Sequence, residues 1–310
     1  MKTSLCVCLS ALVASTIAHG QSTDAVDRSQ LFRTNPGITA PGQNVDESGT
    51  SQGYAAPTAN DQDLGIQAIL KRQAEYKPFS VSLALPFYFT SNVALSPTHE
   101  RSDVIFTPSI AVFYQPHIAQ TFYVNAGIAD QLFTYDEYGT LNFSSFDATI
   151  GAGYYLPQLH DLALGLHYDY NELINDHGDR LFSNHQLLFT AEMPFRLGRA
   201  MQISTGIAVN ISLAAEPETP RRDEYEFHVA YDVQLSRAFT IDAVARVAVK
   251  QFEINRTDVT EMIALTANYR VRDWLSLTAI STFAWNQSSD SAFNYDVVNL
   301  GGAVGVTVRF

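Results

Sequence analysis

The stretch DVVNLGGAVGVTVRF, from Asp296 to Phe310, decides how the whole chain is interpreted. From the third residue onward, apolar side chains occupy every second position, and Gly302 is the one interruption. The positions between them carry mainly small or polar residues. Successive side chains of a strand point to opposite faces, so this pattern predicts a β-strand with one apolar face.

With Phe310 at its end, the stretch resembles the closing strand of bacterial outer-membrane β-barrel proteins. In those proteins the assembly machinery reads a terminal aromatic residue that follows alternating apolar residues. The resemblance implies that Val304, Val306, Val308 and Phe310 form an assembly signal. It also implies that the chain lies in the outer membrane of a Gram-negative bacterium. Val308 stands where many such proteins have Tyr, and the fifteen residues identify no specific family.

The first twenty residues have the features of a secretion signal. Lys2 is followed by an apolar run, residues 5–17, and Ala18-His19-Gly20 places small residues at the positions that precede a cleavage site. Cleavage is therefore expected before Gln21. Cys6 and Cys8 lie within the signal, so the mature chain is expected to contain neither disulfides nor reactive thiols.

The composition agrees with a membrane barrel and argues against nucleic acid as a partner. The chain has 19 Lys and Arg against 32 Asp and Glu, a net charge of −13. Aromatic residues make up 12% of the chain, and the mean hydropathy is −0.04. Beyond the signal no apolar run reaches about 18 residues, the length that a membrane-spanning helix needs. Barrel strands dilute their apolar residues one in two, which explains a hydropathy near zero.

Residues 21–78 are predicted to be a disordered periplasmic segment. Residues 21–60 are rich in Ser, Asp, Asn, Gln, Gly and Pro and show no sustained period. A short helix is possible at 61–76, where Leu64, Ile69 and Leu70 could share a face. This helix could lie at the rim of the barrel or enter the barrel as a plug.

Residues 79–310 show twelve candidate strands with alternating apolar positions, which predicts an all-β, transmembrane, antiparallel up-and-down barrel. The predicted strands are 79–90, 102–114, 121–135, 141–155, 161–171, 181–195, 201–213, 224–235, 239–252, 258–271, 274–285 and 296–310. Short connections alternate with longer polar ones, and an even number of strands would leave both termini in the periplasm. Aromatic residues gather at both ends of the strands, which favours a membrane barrel over a soluble β-sandwich.

The faces opposite the apolar ones are predicted to line the lumen. The candidate lumen residues are Asp147, Gly151, Gly165, His167, Asp169, Glu226, Asp232, Asp242, Arg246, Lys250 and Arg270. Their charges could form a structural ion-pair network in a filled barrel, or line a wet channel with a mild preference for cations. The glycines and other small inward residues favour an open but narrow lumen.

Sites for catalysis or metal binding are not evident. Outer-membrane phospholipases and lipid A deacylases carry a His-x-Ser pair on their outward face, whereas this chain has Ser183-Asn184-His185 in the reverse order. Asn175, Asp176 and Asp179 lack the spacing of a calcium loop and favour a turn. We therefore predict no catalytic residue, no metal and no cofactor.

The leading functional hypothesis is a channel for passive diffusion of small hydrophilic solutes. The alternatives are a structural or adhesive barrel that acts through its outer loops and, less favoured, a lipid-modifying enzyme. The length and terminal Phe also resemble twelve-stranded autotransporter translocators, although residues 21–78 are short for a secreted passenger. The expected partners are outer-membrane lipids, the barrel assembly machinery and the transported solutes, with an unknown number of subunits.

Overall fold

The chain folds into a closed, twelve-stranded antiparallel β-barrel with one short helix, α1 (residues 24–31), inside it. The computed structural model describes residues 24–32, 77–116, 118–119, 121–198 and 200–310. Each strand pairs with its neighbours in sequence, as an up-and-down barrel requires. The strands are β1 (Phe79–Thr90), β2 in two parts (Asp103–Phe106 and Ser109–Tyr114), β3 (Phe122–Tyr135), β4 (Phe143–Leu156), β5 (Leu162–Asn175), β6 (Arg180–Arg196), β7 (Met201–Glu216), β8 (Arg222–Ser236), β9 (Phe239–Phe252), β10 (Thr257–Arg272), β11 (Leu275–Ser288) and β12 (Tyr295–Arg309).

The barrel closes where β1 pairs with β12. The pairs run in register from Ser80 opposite Arg309 to Thr90 opposite Asn299. At the chain end, the Phe310 N–H donates to the Phe79 carbonyl at 2.9 Å, and the Phe79 N–H donates back at 3.3 Å. Lipid offers no hydrogen bonds to a free strand edge, so this pairing is what allows the sheet to sit in a membrane.

The sequence prediction of twelve strands is confirmed, and β1 and β9 have the predicted bounds. The second strand is interrupted at Thr107-Pro108, because Pro108 has no N–H to donate to the ladder. Several strands continue beyond their predicted ends on the side where the polar connections lie; β5 reaches Asn175 and β7 reaches Glu216. These extensions carry polar side chains, so the apolar alternation does not reveal them. They pair all the same, because strand pairing uses hydrogen bonds between backbone groups.

The outer surface is apolar, as the alternation predicted. Exposed fractions are 58% for Phe87, 61% for Ile150 and 51% for Phe227, and similar residues cover the wall all the way round. In water such a surface would aggregate, whereas lipid solvates it. No helix in the described parts of the chain is long and apolar enough to cross a membrane.

Helix α1 was not predicted. Residues 21–60 were expected to be disordered in the periplasm, but residues 24–32 lie inside the barrel, where Ala25, Asp27 and Arg28 are buried. This part of the expectation is therefore revised. An eight-residue helix is unstable alone, so its conformation comes from the surrounding wall. The helix predicted at 61–76 and the predicted signal at 1–20 lie outside the described residues.

The chain end gives the first testable prediction. Deleting Phe310, or replacing it by Ser, should lower the yield of folded barrel in cells, because this residue, directly after β12, completes the pairing with β1 and carries the resemblance to an assembly signal. The yield is read as the heat-modifiable band on gels. Phe227→Ser removes an equally exposed aromatic residue from the middle of the wall and should do less harm. Equal yields for the two variants would contradict the assembly role.

Candidate functional site

The lumen is the candidate functional site, and α1 fills the half of it nearest the long connections. A guanidinium N–H of Arg28 donates to the Val93 carbonyl of the β1–β2 loop at 3.5 Å, and Leu31 belongs to a buried cluster that includes Met262 and Ala264 of β10. The carbonyl of Gln30 lies farther down the strands, where an N–H of Arg246 donates to it at 3.2 Å. The helix therefore runs from the mouth of the barrel toward its middle.

One face of α1 is held by charges on β8 and β9. The Asp27 carboxylate accepts from Arg222 Nη1 at 2.9 Å and from Lys250 Nζ at 3.2 Å. Arg222 also donates to the side-chain oxygen of Gln30 at 2.6 Å. Burial raises the pKa of Asp27, but the charges of Lys250 and Arg222 outweigh it and lower the pKa to about 2. The carboxylate therefore stays ionised inside the barrel.

The other face of α1 is apolar. Ala25 and Val26 belong to a buried cluster that also includes Ile105, Phe133 and Leu173. The ring of Phe32, just after the helix, lies 4.7 Å from the ring of Tyr88. This mixed contact explains why the helix sits in one orientation: its charged and apolar sides each have one complementary wall.

Contacts of the Arg256 side chain with two aromatic rings and a carboxylate also help to close the mouth of the barrel. Its guanidinium lies 3.6 Å from the ring centre of Phe252 and 3.8 Å from that of Phe293. Arg256 Nε is 3.2 Å from a carboxylate oxygen of Asp258. Stacking on two rings and pairing with a buried acid join the β9–β10 connection to the β11–β12 connection.

The half of the lumen away from α1 is narrowed by rings that lie against glycines. A methyl group at Gly153 would overlap with the ring of Tyr123, and one at Gly206 would overlap with His228. Gly151 and Gly165 both border the ring of His167. The inference that inward glycines leave the lumen open is therefore wrong at these positions, because a ring from a neighbouring strand takes up the space.

The predicted lumen residues lie on the inner face, but they fall into separate groups. One group lies around α1 and consists of Glu226, Arg246 and Lys250. A second group is formed by His167, whose ring borders Gly151 and Gly165. The Nε2 atom of His167 is 3.0 Å from the side-chain nitrogen of Asn125. The remaining positions are distributed as follows: Asp232 lies opposite Asp242, Asp147 accepts from Asn171 at 2.8 Å, Asp169 pairs with Thr149 and Gln186 in the ladders, and Arg270 donates to the Arg237 carbonyl at the short-turn end.

Several residues that shape the lumen were not recognised from the sequence. Asp27 and Gln30 were assigned to a disordered segment, Arg222 to a loop, and Tyr123 and His228 were not singled out. One signal was present: Asp24, Asp27 and Gln30 are spaced three residues apart, as on one face of a helix.

The structure defines the surroundings of the two weaker candidates, the Ser183–His185 pair and the turn at Asn175. His185 Nδ1 is 2.6 Å from the hydroxyl of Tyr168, and Ser183 is buried, so the pair does not present an open nucleophile to lipid. Asn175 accepts from the backbone N–H of His177 and of Asp179, which closes a turn at Gly178, where φ is +87°. Among the described residues, no group of three or more His, Cys, Asp or Glu side chains could hold a metal ion.

No model of a known protein family matches the chain, and no curated protein matches it. The structure is similar to that of an outer membrane channel from Pseudomonas putida F1, with 7% identity and a TM-score of 0.57 over 76% of this chain and 98% of that one. This likeness shows the fold alone, a closed antiparallel β-barrel of the kind found in outer-membrane proteins.

Two more distant similarities concern barrels with other names. The translocator domain of the autotransporter NalP from Neisseria meningitidis has 12% identity and a TM-score of 0.44, over 81% of this chain and 96% of that one. LpxR from Salmonella typhimurium has 7% identity and a TM-score of 0.42, over 73% and 99%. Neither similarity bears on function.

The ion pair of α1 can be tested with a single cysteine. In a Ser29→Cys background, Asp27→Ala should release the helix and expose the thiol, because removing one partner of a buried ion pair costs about 3–5 kcal/mol. About 1.4 kcal/mol corresponds to a factor of ten, so maleimide labelling should become about 100-fold faster or more. Asp136→Ala removes an exposed carboxylate from another long connection and should leave the rate unchanged. Slow labelling of the Asp27→Ala variant would show that the apolar face alone holds α1.

The ring-and-glycine contacts predict a second set of variants. Gly153→Val should destabilise the barrel by about 1–3 kcal/mol, since the Tyr123 ring has to move. Adding Tyr123→Ala should recover part of this loss, because the ring is then gone. The measurement is the temperature at which the folded band on a gel disappears. Gly198→Val, in a turn with open space around it, is the control, and a Gly153→Val barrel as stable as this control would contradict the contact.

Proposed function

We propose that this barrel is an outer-membrane channel for the passive diffusion of small hydrophilic solutes, and that α1 closes it in the state described. The observation that carries the proposal is that the half of the lumen nearest the long connections is filled by a helix that is not part of the wall. Residues 33–76 separate α1 from β1, so the helix can leave without breaking a strand pair. In the lumen-crossing channel that we propose, the long connections face the outside of the cell.

The chemistry of the contacts supports a removable helix. Asp27 and Gln30 are held by charged hydrogen bonds to Arg222, Lys250 and Arg246. Water and dissolved ions compete for such contacts far better than for apolar packing, because ions gain hydration when they separate. A lumen that was filled permanently would gain more from apolar side chains of the same volume.

A mild preference for cations is part of the proposal. It rests on Glu192, Asp232 and Asp242, which face the lumen in the half away from α1. In the α1 half, by contrast, acids and bases are nearly balanced. Acidic side chains lining a narrow pore raise the local concentration of cations.

A structural or surface-adhesive barrel is the second candidate. The observation that favours it is that the half of the lumen away from α1 is also filled, since Tyr123, His167 and His228 lie against glycines there. If these rings do not move, removing α1 opens nothing. The two functions therefore differ in what happens after the helix is released.

Planar-bilayer recording distinguishes them. The mature protein should show small and rare conductance, whereas Asp27→Ala and a shortened chain that begins at Tyr76 should conduct steadily. Each variant is first checked for the folded, heat-modifiable band. A reversal potential in a salt gradient then reports the preference for cations. Folded variants that stay silent without α1 would contradict the channel and favour the structural or adhesive barrel.

A further inference from the structure

On the charged face of α1, Arg222, Lys250 and Arg246 of the wall donate to oxygen atoms of the helix, while the side-chain nitrogen of Gln30 donates to Glu224 at 3.4 Å. Arg222 and Lys250 both donate to Oδ1 of Asp27. Arg222 and Arg246 donate to the side-chain and backbone oxygens of Gln30. The exposed fractions are 7% for Arg222 and 4% for Lys250. These donors therefore lie inside the barrel, and α1 supplies many of their hydrogen-bond acceptors.

The wall by itself carries an excess of positive charge at this place. Arg222, Lys250 and Arg246 face only Glu224 and Glu226 as acids on β8 and β9. The nitrogen–oxygen distances between these bases and acids are long for ion pairs: 3.8 Å from Arg222 to Glu224 and 3.7 Å from Arg246 to Glu226. Arg256 and Asp258 pair with each other above this group. The third negative charge, which balances the three bases, is the carboxylate of Asp27.

We propose that Arg222, Lys250 and Arg246 form a binding site for the carboxylate group of small organic acids, which Asp27 occupies when the channel is closed. The proposal rests on the channel function proposed above and adds its regulation, since it names a class of ligand that releases α1 from the same lumen. Asp27 then acts as a tethered competitor: a free carboxylate that takes its place releases α1.

The geometry favours a carboxylate over a bulkier anion. The groups held there are flat: the carboxylate of Asp27 and the amide of Gln30, both within the fork of Arg222. A guanidinium matches such planar acceptors in plane and can serve two oxygens at once. The low pKa of Asp27 agrees with this, because the site favours the ionised form of a carboxyl group.

The test uses the full-length protein with Ser29→Cys, whose thiol is buried while α1 is docked. Maleimide labelling is followed in succinate, in its uncharged diamide, and in sodium chloride at the same ionic strength. We expect saturating succinate to speed labelling about tenfold, and the diamide and chloride to have little effect. The equal ionic strength matters because salt alone screens charges. Equal rates in succinate and chloride would overturn the proposal.

Variants locate the effect. Lys250→Gln should raise the basal labelling rate and abolish the additional effect of succinate, whereas Arg270→Gln, at the short-turn end, should keep it. If Lys250→Gln does not fold, Arg222→Gln serves the same purpose, because Arg222 also donates to the carboxylate of Asp27. A succinate effect that survives in the folded variant would also overturn the assignment.

The labelling assay does not depend on ion flow, so the two proposals can fail separately. Succinate that releases the helix from a barrel silent in bilayers would contradict only the channel. A conducting barrel whose helix ignores succinate would contradict only the carboxylate site.

Discussion

The pairing of β1 with β12 is the constraint on which the rest of the structure depends. Eleven neighbouring pairs could form an open sheet, but only this last pair removes both free edges, and lipid tolerates none. Closure also defines an inside. The alternation that places Phe87 and Phe227 in lipid places Tyr88, Glu226 and His228 in a shared interior, where they must satisfy one another.

The interior solves this problem differently in its two halves. Away from α1, rings pack on glycines, so the volume that a Cβ would take is given to a side chain from the next strand. Around α1, the wall keeps charges that its own acids do not fully balance, and the helix brings the missing carboxylate. One half is therefore complete by itself, while the other depends on a part of the chain that lies outside the sheet.

The sequence revealed the barrel because its signal is local and repeated. A strand such as β9 shows its exposed apolar face within fourteen residues, and its predicted bounds match the structure. His167 was predicted to line the lumen, and in the structure its Nε2 lies 3.0 Å from the side-chain nitrogen of Asn125. Helix α1 could not be recognised in the same way. Its eight residues are helical because of partners such as Arg222 and Lys250, which lie 195 and 223 residues away. In the same way, the ring that fills the space next to Gly151 belongs to His167 in the next strand. The sequence around Gly151 does not indicate this contact.

The position of α1 also sets an order of events during folding. The helix comes first in the described chain, yet its contacts lie on β8, β9 and the loop after β1, and its apolar side faces strands from β2 to β6. None of these surfaces surrounds a common space until β12 has returned to β1. We therefore expect residues 24–32 to acquire their structure last, after the newly closed barrel has held a water-filled, positively charged mouth. On this view, insertion of α1 is a maturation step that follows assembly of the sheet.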